Sequence, residues 1–551
     1  MQEVRNSGSF TSLSSVVESF WEPGIISWRA EDTMRAAVFL LALALACICA
    51  AKKVNISGKK SIVYGPGLNP RIVSPARYVF VQAVDDKGKN YTSSPGSDAF
   101  RFTVVMKSDG RYSHLKTKVF DRGDGTYQCE YFFNTQPDQM HIEIRTKTGE
   151  VVGTKDRYEL KNPEVESCVC PTTEEDFAKQ YGCRESATQI DIDFAKFPSI
   201  TQEMIDKAME VLNEREASIV HYVFKNGKIY AKVHGKYEGF KQYADKMWLA
   251  LARRVKLPDM EFLFNMGDWP QSNLSAQGLP VVSWGASNDT DDIVVPTYKV
   301  VLGTVFGTDL ENMREMDGLS YKTSGGWTKK KNKMIWRGRD CNKMRVDFVD
   351  GVAAENSNLI DAQISRNHFD YYPTPEDRRK DKRLHAGKKV KRMAFEDYFK
   401  YKYILNLDGT VAAYRLSTLL AGDSVVFKHD SKWHEHFYAD LEPFVHYIPL
   451  KDDLSDTMEQ LKWARNHDKR VRKIVAQSRQ FVRDHLSNEA VYCYYLRVAQ
   501  RYRAAMAYKP TVRKGMGLEE VKQEQPKTAC KCAPKPKKAK KAKKAAGKDE
   551  L

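Results

Sequence analysis

Residues whose types and spacing could do chemistry fall in three short stretches. The first is Asp268 in EFLFNMGDWPQ. A carboxylate on a loop directly after a strand, held by Trp269 and Pro270, can take a proton from a hydroxyl acceptor; a turn aspartate before Trp-Pro is the plainer alternative. The second is Met334–Arg345, MIWRGRDCNKMR. Here a strand delivers Arg337, Gly338, Arg339 and Arg345 at its carboxyl end, with Gly338 permitting close backbone approach and the arginines suited to a diphosphate. The third is Tyr403–Lys428, YILNLDGTVAAYRLSTLLAGDSVVFK. It reads as a strand over Tyr403–Leu407, a turn at Asp408-Gly409-Thr410, a helix over Val411–Ala421 with Arg415 in its first turns, and a strand over Ser424–Phe427. The helix start, Gly409, Thr410, Val411, Ala412, Ala413 and Tyr414, would aim amides and the helix dipole at an anion, and Arg415 would add a guanidinium. A solvated arginine on an ordinary βαβ unit is the competing reading.

Two cationic strand-end loops in one domain suggest a nucleotide diphosphate. Neither a Walker Gly-Lys-Ser/Thr loop nor GxGxxG is present, which weighs against kinases and dehydrogenases. Asp289, Asp291 and Asp292 contain a DxD, read as an acidic turn beside a sequon and not as a metal site. His434, His436 and His446 stand near Glu435 and Glu442 without HExxH spacing, and are read as scaffold or minor pocket groups. No metal ligand set and no cofactor is expected.

The elements that must position these groups are of two kinds. Residues 53–165 show half-buried β alternation: Phe100, Phe102, Val104 and Met106; Tyr127, Cys129 and Tyr131; Met140, Ile142 and Ile144. With turns such as Gly123-Asp124-Gly125 between the runs, this predicts an immunoglobulin-type antiparallel sandwich. Residues 166–190 form a cysteine-bearing connector. From 191 to 510 strands alternate with helices. Ile200–Leu212, Tyr243–Val255, Thr457–Leu486 and Val491–Tyr508 read as helices. Glu261–Asn265, Pro296–Val305 and Lys333–Arg337 read as strands, and Val220–Val233 as a hairpin about Asn226-Gly227. The pattern predicts two doubly wound halves facing a cleft.

Charge and termini narrow the class. The chain has 551 residues and a net charge of +17, but Lys527–Leu551 holds ten Lys against Asp549 and Glu550, a local +8 that leaves +9 elsewhere. Residues 511–551 are therefore read as a low-complexity, disordered Lys-rich tail and not as a nucleic-acid binder. Met34–Ala51 reads as a secretory signal peptide, and residues 1–33 as an N-terminal extension, through a start at Met34 or an extended gene model. The chain ends in Lys548-Asp549-Glu550-Leu551, the endoplasmic-reticulum retrieval address, which names the KDEL receptor as a partner. Together the ends predict a luminal protein without stable membrane insertion. An oxidising lumen predicts bridges at Cys168, Cys170 and Cys183, one of them to Cys493, and glycans at the sequons of Asn55, Asn90, Asn273 and Asn288.

The order of motifs is more specific than any one of them. GPGL, ARYVFVQAVDDKGKN and DRGDGTYQCEYF resemble a filamin-type repeat. NMGDWPQ, SWGASNDTDDIVVPTY, WRGRD, KYKYILNLDGTVAAYRL, GDSVVFK and HFYADLEPFVHYIPL resemble the KDEL-motif-containing protein O-glucosyltransferases of glycosyltransferase family 90. The resemblance implies a GT-B-like fold with two Rossmann-like halves behind the sandwich. It also implies a UDP-glucose donor (xylose being the alternative), inversion without metal, and Ser of EGF-like repeats as acceptor. Asp268 matches the family's base, Arg339 and Arg345 its donor positions, and Thr410–Arg415 its donor-binding helix start. Cys341 departs from the small polar residue expected after WRGRD. A luminal client-binding protein with an inactive cleft is the rival from another class.

Overall fold

The structure is a computed structural model describing residues 55–75, 77–235, 238–272, 278–306, 313–366, 390, 393–513, 515–526 and 529–532. The extension, the signal segment, Asn273 and the Lys-rich end with its KDEL lie outside these residues.

Alternating apolar residues build the first layer pair. β1 (Ile62–Tyr64), β2 (Arg77–Gln82), β3 (Phe100–Ser108), β4 (Arg111–His114), β5 (Thr117–Asp121), β6 (Thr126–Tyr131), β7 (Gln139–Thr146) and β8 (Tyr158–Lys161) form two antiparallel four-stranded sheets. Their orders are β1-β2-β6-β5 and β4-β3-β7-β8, and Val79, Val81, Phe102, Tyr127, Cys129 and Ile142 fill the space between. β6 departs from alternation: Thr126, Gln128 and Glu130 are buried as well. The outer face of this sheet is turned to the remainder of the chain, where Lys118 pairs with Glu315 and Arg122 with Asp317.

The next sheet contains β9 (Ile219–Lys225), β10 (Lys228–His234), β11 (Met260–Asn265) and β12 (Val281–Ser283). Beyond β13 (Ala286–Ser287), which lies outside it, β14 (Ile293–Val294) closes one edge. β11, β12 and β14 run parallel, but β9 is antiparallel to both β10 and β11. This half is thus a mixed sheet and not the doubly wound parallel sheet expected. The cause is local: Asn226 and Gly227 both take positive φ, 50° and 76°, and close a tight hairpin.

β15 (Lys331–Arg339), β16 (Ile360–Arg366), β17 (Tyr401–Asn406), β18 (Val425–His429) and, after the short β19 (Trp433–His434), β20 (Ile448–Leu450) form the other half. Its order β16-β15-β17-β18-β20 is parallel throughout. β13 and β19 pair as a two-stranded ribbon between the halves. The closing helix Asn488–Ala505 returns to the first half, with Tyr495 edge-on to Trp248 at 5.0 Å and Tyr502 against Phe262 at 5.8 Å.

Three expectations are corrected. Pro296–Val305 is helical, Tyr298–Val301 running into a wider turn at Leu302–Phe306; a short apolar run has the same composition in a buried helix as in a strand. The long helix breaks at His467 into Thr457–Asn466 and Asp468–His485. Residues 511–532 are not a loose tail. β21 (Glu519–Glu520) adds to the edge of β10, and disulfides join Cys168 to Cys530 and Cys170 to Cys532. A third disulfide joins Cys183 to Cys493, and Cys129 and Cys341 are free.

Candidate active site

β11 is buried along its whole length and ends in a loop that its last residue organises. The Asn265 side chain donates to the Trp269 carbonyl at 2.7 Å and accepts from the Gly267 amide at 2.9 Å. Buried Asp292 accepts from the amides of Gln271 and Ser272 at 2.9 and 2.8 Å. Asp268 stands at the tip of this pinned loop, open to solvent, and Trp269 beside it is edge-on to Trp433 at 5.4 Å. Surrounding protein still desolvates the Asp268 carboxyl and pushes its pKa up; the Tyr414 hydroxyl acts the other way.

Tyr414 comes from the other half. The stretch after β17 is a folded loop, and helix begins only at Leu416 and ends at Leu420. The helix expected over 411–421 starts late because Asp408 takes one of its early amides: Ala413 N donates to Asp408 Oδ1 at 2.8 Å. Burial raises the Asp408 carboxyl, but the neighbouring His429 and Ser431 hold it below the ordinary aspartate value. The loop is tied down from beneath. Asn342 donates to the carbonyls of Asp408 and Gly409 at 3.1 and 2.9 Å. Arg345 donates to those of Asp408, Leu407 and Arg339 at 2.8, 2.7 and 2.9 Å. Arg345 is buried, and desolvation together with the charge of Arg415 lowers its pKa to about 10.

The expected donor residues thus divide. Arg339 is exposed at the strand end. Arg415 gives one Nη to the Arg337 carbonyl at 2.7 Å and is half-exposed. Arg345 braces the loop. Arg337 departs from the expectation of a phosphate contact: it donates to the carbonyls of Trp336 and Asp361 at 2.8 and 2.7 Å and pairs with Asp361. Gly338 also departs from it, because a Cβ there would lie 2.4 Å from the Trp336 ring; the close approach is to that ring. Among the described residues no carboxylate lies within ion-pair distance of Arg339, Arg345 or Arg415, which leaves net positive charge where strand ends meet.

These features sit in a stretch with known relatives. Residues 178–548 match Glycosyl transferase family 90, and residues 55–154 match the Filamin/ABP280 repeat. The chain belongs to glycosyl transferase family 90. It is 41% identical over 475 residues to protein O-glucosyltransferase 2 of Danio rerio, covering 84% of this chain and 91% of that one. It is 38% identical over 513 residues to protein O-glucosyltransferase 3 of Homo sapiens, covering 90% and 97%. Human protein O-glucosyltransferase 1 is 30% identical over 270 residues, covering 47% and 66%. The chain is a glycosyltransferase with a filamin-type sandwich ahead of its α/β domain.

In this family 90 enzyme the acidic turn is occupied by protein partners. Asp289 pairs with Lys432 at 2.7 Å and Asp291 with Lys196 at 3.4 Å. Motif reading named Glu435 only as a neighbour of the histidines; it is fully buried just after β19, and burial and the Asp408 charge push its carboxyl to about 8. No spacing marks it, since it is defined by what folds around it. The part of Tyr298, whose ring meets that of Tyr414 at 90° and 5.6 Å, was hidden for the same reason.

Proposed function

We propose that this enzyme transfers glucose from UDP-glucose to Ser of EGF-like repeats, with inversion and without a metal. One observation carries the reading: beside Asp268, at the end of a strand of one half, Trp269 packs edge-on at 5.4 Å against Trp433, just past β18 of the other half, whose neighbouring strand end carries the cationic loop. A nucleophile's proton acceptor and a cradle for a leaving diphosphate thereby stand side by side. The serine Oγ attacks the anomeric carbon from the face opposite UDP, and Asp268 takes its proton as the bond forms. The bond from that carbon to the diphosphate oxygen breaks, and Arg339 and Arg415 offset the charge that grows on it. Arg345 holds the loop that presents them. The proposal assigns a GT-B-like transferase in which the parallel half holds the nucleotide. The terminal KDEL and the disulfides support residence in the endoplasmic reticulum lumen, with the KDEL receptor and EGF-repeat proteins as partners.

The test is transfer to a folded EGF repeat, read by mass spectrometry with a panel of UDP-sugars, beside donor binding by calorimetry. Asp268→Asn keeps the size of the side chain but cannot accept the proton. Turnover is expected to fall by about 10²–10⁴ with UDP-glucose binding nearly unchanged. Near wild-type turnover would remove Asp268 from the mechanism, and transfer abolished by EDTA and restored by manganese would overturn the metal-free reading.

A further inference from the structure

A cavity of about 630 Å³ opens between the sandwich and the transferase part, and none of Asp268, Arg339 and Arg415 lines it. Part of its lining is aromatic. Tyr64 is 44% exposed, its ring lies 5.4 Å from that of Phe80, and the Arg122 guanidinium stands over Phe80 at 5.2 Å. Another part is the start of the closing helix Asn488–Ala505, which Ser487 caps by accepting from the Ala490 amide at 3.2 Å. Asn488 lines the cavity and is 2% exposed, and its Nδ2 has no hydrogen-bond partner among the described residues. A second cavity, of about 270 Å³, adjoins the first and shares Tyr181, Asp484 and Ser487 with it. His436 lines this one at 3% exposure, and neither of its ring nitrogens has a partner among the described residues.

These groups select the chemistry of a ligand. Buried polar groups in folded proteins are hydrogen-bonded, so Asn488 Nδ2 calls for an acceptor. Burial lowers the His436 pKa to about 3, so the ring is neutral and offers one N–H and one bare nitrogen. Hydroxyl groups meet both needs, whereas a carboxylate only accepts. Charge points the same way: Asp317, in the larger cavity, already accepts from Arg122, Arg479 and Arg483, so these cations are satisfied within the protein. Aromatic rings beside a few directional hydrogen-bonding groups suit a ring with an apolar face and a hydroxylated rim.

We propose that this cleft binds a neutral oligosaccharide. The Tyr64–Phe80 wall covers the apolar face of one sugar, Asn488 donates to a sugar oxygen in the larger cavity, and His436 exchanges hydrogen bonds with a hydroxyl in the smaller. The sandwich thereby contributes a carbohydrate site separate from the site of transfer.

The test is calorimetry and saturation-transfer NMR on the full chain with UDP in excess, using maltotriose, mannotriose and xylotriose as probes. At least one is expected to bind with a Kd on the order of 1 mM or tighter, without competition from UDP-glucose. Tyr64→Ala, at an exposed position, and Asn488→Ala should each weaken that binding by about tenfold or more. Transfer to a folded EGF repeat should stay within about twofold of wild type in Tyr64→Ala, because Tyr64 lies outside the transfer site. If Asn488→Ala misfolds, Tyr64→Ala carries the test alone. No binding by any of the three probes, displacement by UDP-glucose, or binding that Tyr64→Ala leaves unchanged overturns the proposal. An unglycosylated EGF repeat that binds where no saccharide does, and is lost in Tyr64→Ala, overturns it in favour of a polypeptide ligand.

Discussion

At the scale of residues, the arginines illustrate how burial divides labour. Arg339 is exposed and Arg415 half-exposed, whereas buried Arg345 directs its donors to backbone carbonyls. Charge-assisted bonds to a diphosphate contribute about 1.5–3 kcal/mol each. Arg339→Ala and Arg415→Ala should therefore raise the KM for UDP-glucose by about 10–100-fold with the melting temperature retained. Unchanged donor kinetics in both would place the diphosphate elsewhere. Glu435 tests burial through stability. Its carboxyl is raised from 4.5 to about 8, so between those values the unfolded chain is ionised while the folded one keeps its proton. Below that window the group is neutral in both states. Its contribution is lost as pH rises through the window. Glu435→Gln cannot ionise, so its stability relative to wild type should increase from pH 5 to pH 8. A difference that is flat with pH would refute the assignment.

At the scale of elements, the strand-end loops are shaped by side chains that never reach the cleft. Asp408 captures the amide that would have begun a helix, and Asn342 and Arg345 hold the carbonyls beneath. β15 has a glycine, Gly338, just before its last residue because the Trp336 ring occupies the place of a side chain. Gly338→Ala should thus cost about 1–3 kcal/mol through overpacking and disturb donor binding with it. Chemical denaturation beside calorimetry checks this, and an alanine variant with wild-type stability would show that the ring moves aside freely.

At the scale of the molecule, the sandwich is locked to the transferase part by charge. Asp317 accepts from Arg122 of the sandwich at 2.7 Å and from Arg479 and Arg483 at 2.6 and 3.0 Å. Arg483 also reaches Asp124 at 2.9 Å. Removing the shared acid takes the counter-charge from buried Arg122 and leaves Arg479 and Arg483 with Asp124. Asp317→Ala should destabilise the chain by about 3–5 kcal/mol and increase proteolysis between the sandwich and the transferase part. Unaltered stability would mean that the network is a surface feature. The disulfides add a second lock, tying 530–532 to the connector at 168–170 and the connector to the closing helix through Cys183 and Cys493.

The sequence by itself determined what local chemistry determines. Alternation at Phe100–Met106 made a strand with one apolar face, Asn226-Gly227 closed a hairpin, and the run Glu261–Asn265 put Asp268 just past a strand end. The order of the motifs carried the family. Tertiary structure decided what depends on contacts between distant segments: that Arg345 is a brace, that Cys168 and Cys170 take Cys530 and Cys532, and that Pro296–Val305 coils. Periodicity records which face of an element is apolar, but not which element will cover it. A buried group's partners and its proton affinity are set by that covering surface.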